Sequence, residues 1–208
     1  DPANGNALFY KNTLLPDGSL DKTTTKTYTD AQRIIAGSPY PNFTAGLTNT
    51  VTYKNFDLSF TFQGEWGASI YNEAGKFQSS NARYKDNQTK DQMNRWQNPG
   101  DITNVPQARW GRSNGEQSST RYLEKSDFVR LRNLAIGYTL PKTLTQKVSV
   151  DRLRVYLTGV NLLTFTNYKG YDPESTYDNY GDSNIQKGIA FYSAPPAKTI
   201  IVGLNIDL

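Results

Sequence analysis

Apolar and polar side chains alternate along residues 43–66, in two runs of 11 residues separated by Lys54 and Asn55. Successive side chains on a β-strand point to opposite faces, so each run has one apolar and one polar side. Two such runs joined by two residues predict a β-hairpin. Asn49 is the one polar residue on the apolar side. The polar side of the second run consists of Asp57, Ser59, Thr61, Gln63 and Glu65.

Three further runs with the same period follow in the second half of the chain. Residues 133–140 alternate as far as Pro141, which lacks the N–H group that a sheet interior requires. Residues 152–165 alternate less clearly, because Val160 and Leu162 interrupt the pattern, and residues 199–208 alternate cleanly. The sequence therefore predicts five strands.

The connections between these strands are alternately short and long. Lys54-Asn55 and residues 142–150 are the short ones, whereas residues 67–125 and 166–197 are long, polar and rich in turn-forming residues. Long irregular connections are uncommon in compact soluble domains but ordinary on the extracellular side of an outer-membrane barrel. The alternation favours such a barrel, and a soluble β-sandwich with one face on its core is the alternative.

The long segments contain few signals for regular structure. Residues 8–10 predict a short strand, and Thr residues between positions 23 and 27 favour extended backbone. Residues 89–96 are the only candidate helix, which the Asn98-Pro99-Gly100 sequence would end.

The composition excludes several kinds of chemistry. The 208 residues include no Cys and no His, so we expect no disulfide, no thiolate metal site and no histidine general base. The net charge of +4 is modest, and Lys and Arg are spread along the chain rather than concentrated as in nucleic-acid-binding surfaces. No run of about 18 apolar residues is present, so we expect no transmembrane helix.

Five strands are too few to close a barrel in lipid, for which about eight is the smallest number. An open sheet edge in hydrocarbon leaves backbone groups without hydrogen-bond partners. If these strands cross a membrane, we therefore expect the chain to be part of a larger protein whose other strands precede Asp1. No signal peptide is present at Asp1, so we expect the chain to begin either after processing or partway through a longer protein.

Several motifs, in order and with consistent spacing, resemble the C-terminal part of SusC/RagA-type TonB-dependent outer-membrane transporters. The motifs that carry this resemblance are Asp30–Phe43, Tyr53–Ser59, Arg95–Asp101, Asp127–Pro141, Leu153–Tyr156, Asn161–Thr164 and Lys169–Glu174. The N-terminal extension, TonB box and plug domain of that family are not among these residues.

The resemblance implies an all-β fold, namely the last five antiparallel strands of a large transmembrane β-barrel of about 22 strands with long extracellular loops. It also implies a TonB-dependent importer of oligomeric nutrients, glycans or peptides, in the bacterial outer membrane. A SusD-like surface lipoprotein would form its lid, and TonB would act through the N-terminal region. No enzymatic activity, metal or cofactor is expected.

The expected organisation follows from the strands and the resemblance together. Residues 1–42 would form an extracellular loop region, residues 43–66 a transmembrane hairpin, and residues 67–125 a long extracellular loop. Residues 126–208 would supply three C-terminal barrel strands, with an extracellular loop at 166–197.

Candidate site residues fall into two groups. The polar side of the second strand, Asp57, Ser59, Thr61, Gln63 and Glu65, would face the lumen, where contact with water or with the plug is an alternative to contact with substrate. Loop residues that would touch the substrate or the lid, or would only stabilise the loops, are Trp96, Arg109, Trp110, Tyr171, Tyr177 and Tyr180.

Two functional hypotheses other than a transporter remain open. One is a soluble β-sandwich binding module, and the other is a structural outer-membrane barrel that transports nothing. Asp172 and Glu174 do not have the spacing of an EF-hand, and nothing in the sequence places two carboxylates across a cleft, so we predict neither calcium binding nor glycoside hydrolysis.

Overall fold

The computed structural model describes residues 1–175 and 187–208, which form two compact units. We call Asp1–Gly37, Tyr71–Glu124 and Ile189–Tyr192 the loop unit, and Ser38–Ile70, Lys125–Gly188 and Ser193–Leu208 the sheet unit. The expected domain boundaries at residues 42, 66 and 125 remain a prediction.

Strands dominate the regular structure of the described residues. In chain order they are β1 (Phe9–Tyr10), β2 (Thr24–Thr25), β3 (Phe43–Tyr53), β4 (Phe56–Trp66), β5 (Ser69–Asn72), β6 (Leu123–Lys125), β7 (Phe128–Thr139), β8 (Arg152–Thr166), β9 (Ile189–Ala190) and β10 (Thr199–Asp207). In the described residues, no helix is both long enough and apolar enough to span a membrane.

The sheet unit contains one five-stranded antiparallel sheet with the order β10-β8-β7-β4-β3. These are the five strands that the alternation predicts, and the bounds of β3 and β4 are the predicted ones. The β3–β4 hairpin turns through Lys54, whose φ of 53° is the left-handed conformation that such two-residue turns require. The all-β fold with five antiparallel strands is therefore confirmed.

The register of the sheet separates two faces. Apolar residues of neighbouring strands lie opposite one another, as in the row Val51, Leu58, Ile136, Leu157 and Val202. The next row, on the other face, contains Thr52, Asp57, Gly137, Tyr156 and Gly203. The apolar face is open in this chain, and Val202 for example is 72% exposed.

A β-bulge explains why the alternation is interrupted in the second half of the chain. At Arg132 strand β7 has one residue more than β4, and the register between β7 and β8 shifts at the same level. In β8 the irregularity coincides with Asn161, which has a φ of 54°. An extra residue on one strand changes the face on which the following residues lie. Leu131 and Leu134 consequently both pair with apolar residues of β4.

The loop unit contains more regular structure than the sequence indicates. Strands β1 and β2 pair antiparallel, and β5 pairs with β9 in parallel through Tyr71 and Asn72. Helix α1 (Glu73–Gln78) has Asn72 as its N-cap residue. The side chain of Asn72 accepts a hydrogen bond of 2.8 Å from the backbone N–H of Gly75.

The helix prediction was wrong in type and incomplete. Residues 89–96 contain only a short 3₁₀ helix, Lys90–Asn94, and further 3₁₀ turns occur at Tyr28–Asp30 and Thr120–Tyr122. Helix α1 was missed because Gly75 lowers helix propensity in a window of six residues. In the sheet unit, the short connection after β7 contains helix α2 (Lys142–Thr145) and a 3₁₀ turn at Gln146–Val148.

Candidate functional site

Opposite charges meet on the polar face of the sheet near the β3–β4 turn. Arg154 of β8 donates from Nε to Asp57 Oδ1 of β4 at 2.9 Å, and its Nη2 donates to Asp57 Oδ2. Strand β7 lies between these two strands and presents Gly137 at this level, where a Cβ atom would collide with the guanidinium of Arg154. The glycine therefore leaves room for an ion pair that crosses a strand.

Neutral polar groups occupy the middle of the same face. Thr61 and Thr48 are cross-strand partners whose hydroxyl oxygens lie 3.1 Å apart. Ser59 lies between Thr50 and Ala135, and Glu65 lies between Thr44 and Phe128. The structure thus places all five predicted lumen-facing residues on one face, while their contact with a lumen remains a prediction.

Near the other end of the face, two arginines of β7 hold a segment that follows β8. Arg130, only 1% exposed, donates to Asp172 and lies 3.0 Å from Glu174 Oε2 through its Nη1. Arg132, which the bulge turns to the polar face, donates from Nε to Gln63 Oε1 at 2.9 Å and from Nη2 to Glu174. We call Gln63, Arg130, Arg132, Asp172 and Glu174 the arginine cluster.

The arginine cluster fixes residues 172–174 on the polar face. Asp172 also accepts a hydrogen bond of 2.9 Å from the backbone N–H of Glu174, which shapes the turn around Pro173. Charge-assisted and bidentate hydrogen bonds of this kind are the strong ones in proteins. Both carboxylates are therefore engaged by arginine, and the described residues contain no group of three or more acidic residues placed to hold a metal ion.

Sequence reasoning missed this cluster. Asp172 and Arg130 are separated by 42 positions, so no local motif joins them. The available signal was charge complementarity between the two arginines of β7 and the two acidic residues after β8.

The predicted loop residues have different environments within the loop unit. Trp96 is buried, and its Nε1 donates to the backbone carbonyl of Pro2 at 2.9 Å. Arg109 donates to the Gln107 side chain and to the backbone carbonyl of Asn4. Trp110 is 71% exposed. Of these three, only Trp110 has a side chain largely open to a ligand.

Three of the predicted loop residues do not belong to the described part of the loop unit. Tyr171 is exposed beside the arginine cluster in the chain, at the position before Asp172. Tyr177 and Tyr180 lie outside the described residues. Contact of any of these residues with a substrate or a lid remains a prediction.

The loop unit also contains an open cavity of about 1050 Å³ that the sequence does not indicate. Its walls come from residues 1–37, Tyr71, residues 96–106 and residues 115–123. Phe9 and Tyr28 pack edge to face on its wall with ring centres 5.3 Å apart, and the Tyr28 hydroxyl donates to the carbonyl of Ser118 at 2.8 Å. Tyr28 and Ser118 are 90 positions apart, so only the folded chain brings these walls together.

The chain is similar in sequence to known outer-membrane receptors, although no protein-family model matches it. It is 38% identical to TonB-dependent receptor P3 of Formosa agariphila over 178 residues, which cover 85% of this chain and 17% of that protein. It is 28% identical to TonB-dependent receptor SusC of Bacteroides thetaiotaomicron over 192 residues, covering 90% of this chain and 17% of that protein.

The fold is similar to that of a solved importer. The structure of the RagAB peptide importer in its closed-closed state matches 99% of this chain with a TM-score of 0.78 and 29% sequence identity, and the match covers 22% of that chain. The chain therefore spans about one sixth of the length of the curated relatives it matches.

Proposed function

Because the chain is related in sequence and in fold to TonB-dependent receptors of the SusC/RagA type, we propose that it is part of an outer-membrane importer of oligomeric nutrients. It would supply five strands of the barrel wall together with loops on the cell surface. A SusD-like lipoprotein would cover the loops, and TonB would supply energy through another part of the protein. The two-faced five-stranded sheet is the observation that carries this proposal.

The apolar face supports a lipid environment. Large apolar side chains on neighbouring strands form a continuous open surface, which in water favours aggregation. Strand β4 has 11 residues, about 33 Å at roughly 3.3 Å per residue, and a tilt of about 45° gives a height close to the apolar band of a barrel. The edges of β3 and β10 require further strands, which a closed barrel of about 22 strands would provide.

The polar face supports a role as the inner wall of this barrel. On this face Arg154 pairs with Asp57, Arg130 with Asp172, and Arg132 with Glu174, so these charges are neutralised within the wall. Asp57, Ser59, Thr61, Gln63 and Glu65 would face the lumen, where they contact water, the plug or passing substrate. We propose no catalytic role, because the chain lacks His and Cys and because Asp57, Asp172 and Glu174 are bound to arginines.

The orientation follows from the lengths of the connections. Barrels of this class have short turns toward the periplasm and long loops outside. Lys54-Asn55 and residues 142–150 would then face the periplasm, and residues 1–42, 67–125 and 166–197 the exterior. The absence of native cysteine in the chain allows single-cysteine labelling.

A membrane-impermeant maleimide applied to intact cells tests this orientation. Label should attach to Arg112→Cys, an exposed position of the loop unit, and not to Asn55→Cys in the hairpin turn. Labelling of Asn55→Cys without labelling of Arg112→Cys would invert the proposed topology.

Uptake by cells tests the transport proposal itself. Cells that carry the complete transporter and its lipoprotein partner should accumulate fluorescent oligopeptides or oligosaccharides at least tenfold faster than cells without the transporter gene. Deletion of TonB should reduce the rate to that of the deletion strain. Equal uptake by all three strains, across both classes of oligomer, would contradict the proposal.

A further inference from the structure

The acidic and the basic residues that line the cavity of the loop unit differ in the contacts they make. Asp1 and Asp101 are its acidic lining residues, and both carboxylates are already bound to backbone N–H groups, with Asp101 accepting from Gln97 at 2.9 Å and Asn98 at 2.8 Å. These two hydrogen bonds, that from Asn98 first, hold the pKa of Asp101 below its ordinary value, so it stays ionised and engaged. Each acidic group is therefore held in place by backbone N–H groups of its own segment.

The basic groups of the lining are in a different state. Arg121 donates to the backbone carbonyl of Gly115, whereas Lys22 and Arg33 form no ion pair with any described residue. Lys22 is placed only over the ring of Tyr10, 5.7 Å from its centre. Arg33 is exposed. A guanidinium and an ammonium without partners at one cavity favour a carboxylate ligand, because arginine binds carboxylates in a bidentate manner.

Apolar side chains form much of the remaining wall. Ile34 and Ile102 are 42% and 93% exposed, although both line the cavity. Aliphatic side chains gain free energy when another apolar group covers them, and they offer nothing to the hydroxyl groups of a sugar. The cavity therefore presents aliphatic surface beside unpaired positive charge.

The aromatic rings are poorly placed for stacking on a sugar. The rings of Phe9 and Tyr28 are packed against each other, and Trp96 is buried. Tyr10 is 57% exposed, but the ammonium of Lys22 lies over its ring, 5.7 Å from the centre. One acceptor completes the site, since Asn12 Oδ1 is buried and has no hydrogen-bond partner among the described residues. A backbone N–H group of a ligand would satisfy it.

We propose that this cavity binds a segment of an oligopeptide that carries apolar side chains and a carboxylate. Arg33 and Lys22 bind the carboxylate, Ile34 and Ile102 contact the apolar side chains, and Asn12 accepts a hydrogen bond from the peptide backbone. This inference rests on the proposed import function and selects peptide over glycan as the oligomer that the loop unit recognises.

Binding to the purified complete transporter tests the proposal. The probe is an eight-residue peptide of alternating Ala and Leu with a free C-terminal carboxylate, and its C-terminal amide serves as the uncharged form. We expect the acid to bind about tenfold more tightly than the amide, as for one charge-assisted hydrogen-bonded pair. Arg33→Gln should weaken the acid and narrow the difference between acid and amide, and adding Lys22→Gln should remove that difference.

Two exposed residues outside the lining provide matched controls. Arg112→Gln should change neither affinity, because Arg112 is an exposed arginine that does not line the cavity. Ile102→Asp should weaken both peptides at least tenfold, whereas Ile35→Asp, at a 98% exposed position outside the lining, should leave both unchanged.

Either of two results would overturn the inference. One is that Arg33→Gln and Ile102→Asp bind both peptides as the wild type does. The other is that maltoheptaose, a neutral oligosaccharide, binds and Ile102→Asp abolishes its binding while peptides do not bind. TonB-dependent uptake by the wild type distinguishes failure of the peptide site from failure of the import function. If the wild type imports oligomers but the variants bind peptide as it does, only the peptide site is contradicted. If the wild type shows no TonB-dependent uptake, the import function itself is contradicted.

Discussion

The sheet unit and the loop unit satisfy their backbone polar groups by different means. In the sheet unit, the backbone groups of five strands pair with one another over nine to fifteen residues per strand. In the loop unit the paired strands are only two to four residues long, isolated backbone hydrogen bonds join the turns, and side chains hold further backbone groups. Asn114, for example, accepts from the backbone N–H of Ala7 at 2.8 Å and donates to the carbonyls of Gly5 and Gln107.

This difference determines what each unit depends on. A long strand ladder tolerates the loss of one side chain, but it requires partner strands at its edges and a suitable medium on each face. A loop held partly by buried side chains is weakened when one of those side chains is removed, because buried backbone groups then lose their hydrogen-bond partners. The sheet unit is therefore sensitive to the polarity of a substitution on each face, and the loop unit to the loss of particular hydrogen bonds.

The largest effect is expected at Arg130, which carries a buried charge in the described part of the sheet unit. Arg130→Met leaves the buried Asp172 without its arginine partner and Glu174 with Arg132 alone, which should destabilise the complete transporter by about 3–5 kcal/mol in urea unfolding. Arg132→Met is the control, since its side chain is more exposed, and we expect about 1 kcal/mol. Adding Asp172→Asn and Glu174→Gln to Arg130→Met should restore part of the loss. Equal effects of the two arginine variants would show that burial of Arg130 is unimportant.

The two faces of β4 provide the next test. Phe60→Arg should cost about 2–4 kcal/mol if residue 60 lies near the middle of the bilayer. Thr61→Arg places the same side chain on the polar face, one residue away, and should cost less than about 1 kcal/mol. Unfolding of the complete transporter in lipid vesicles measures both. If Thr61→Arg is the more damaging variant, the assignment of the faces is reversed.

A smaller effect is expected where two strands are bridged across a third. Gly137→Ala places a methyl group against the Arg154–Asp57 ion pair and should cost about 1–3 kcal/mol. Gly46→Ala on β3 is the matched control, because the nearest atom to its Cβ would be 3.8 Å away. We expect a change of less than about 0.5 kcal/mol for the control. Equal losses of stability in the two variants would mean that Gly137 is needed for its backbone conformation and not to leave room for the ion pair.

The loop unit should respond locally. Asn114→Ala removes three hydrogen bonds from a buried position and should raise amide exchange at Ala7, equivalent to about 1–3 kcal/mol of local stability. Urea unfolding of the barrel should not change. Asn98→Ala, at an exposed position of the same unit, should alter neither measurement. A lower unfolding midpoint for Asn114→Ala would show that the two units unfold together.

The sequence predicted features that depend on neighbouring residues and missed those that depend on contacts between distant segments. The bounds of β3 and β4 follow from alternation alone, because each residue of a two-faced strand repeats the same signal. The bulge at Arg132 depends on how β7 meets its neighbours, and the pairing of Arg130 with Asp172 joins segments that are far apart in the chain. Neither has a local signature, so neither was predicted.

The candidate site shows the same limit. The polar side of β4 was identified as a row of five residues, and the register confirms that they share one face. For Trp96 the sequence left open contact with a substrate or lid and stabilisation of the loops; the side chain is buried and donates to the backbone carbonyl of Pro2, which a local motif does not indicate. The cavity of the loop unit was missed entirely, because its walls come from separate segments.

Spin labels at successive positions of β4 test the central claim, that one face of the sheet contacts lipid and the other lines an aqueous lumen. Single cysteines at residues 58 to 63 of the complete transporter, reconstituted in vesicles, would carry the label, with oxygen as the lipid-soluble quencher and a nickel chelate as the water-soluble one. We expect labels at residues 58, 60 and 62 to respond to oxygen and those at residues 59, 61 and 63 to respond to the nickel chelate. An absence of alternation, or the opposite alternation, would contradict the account.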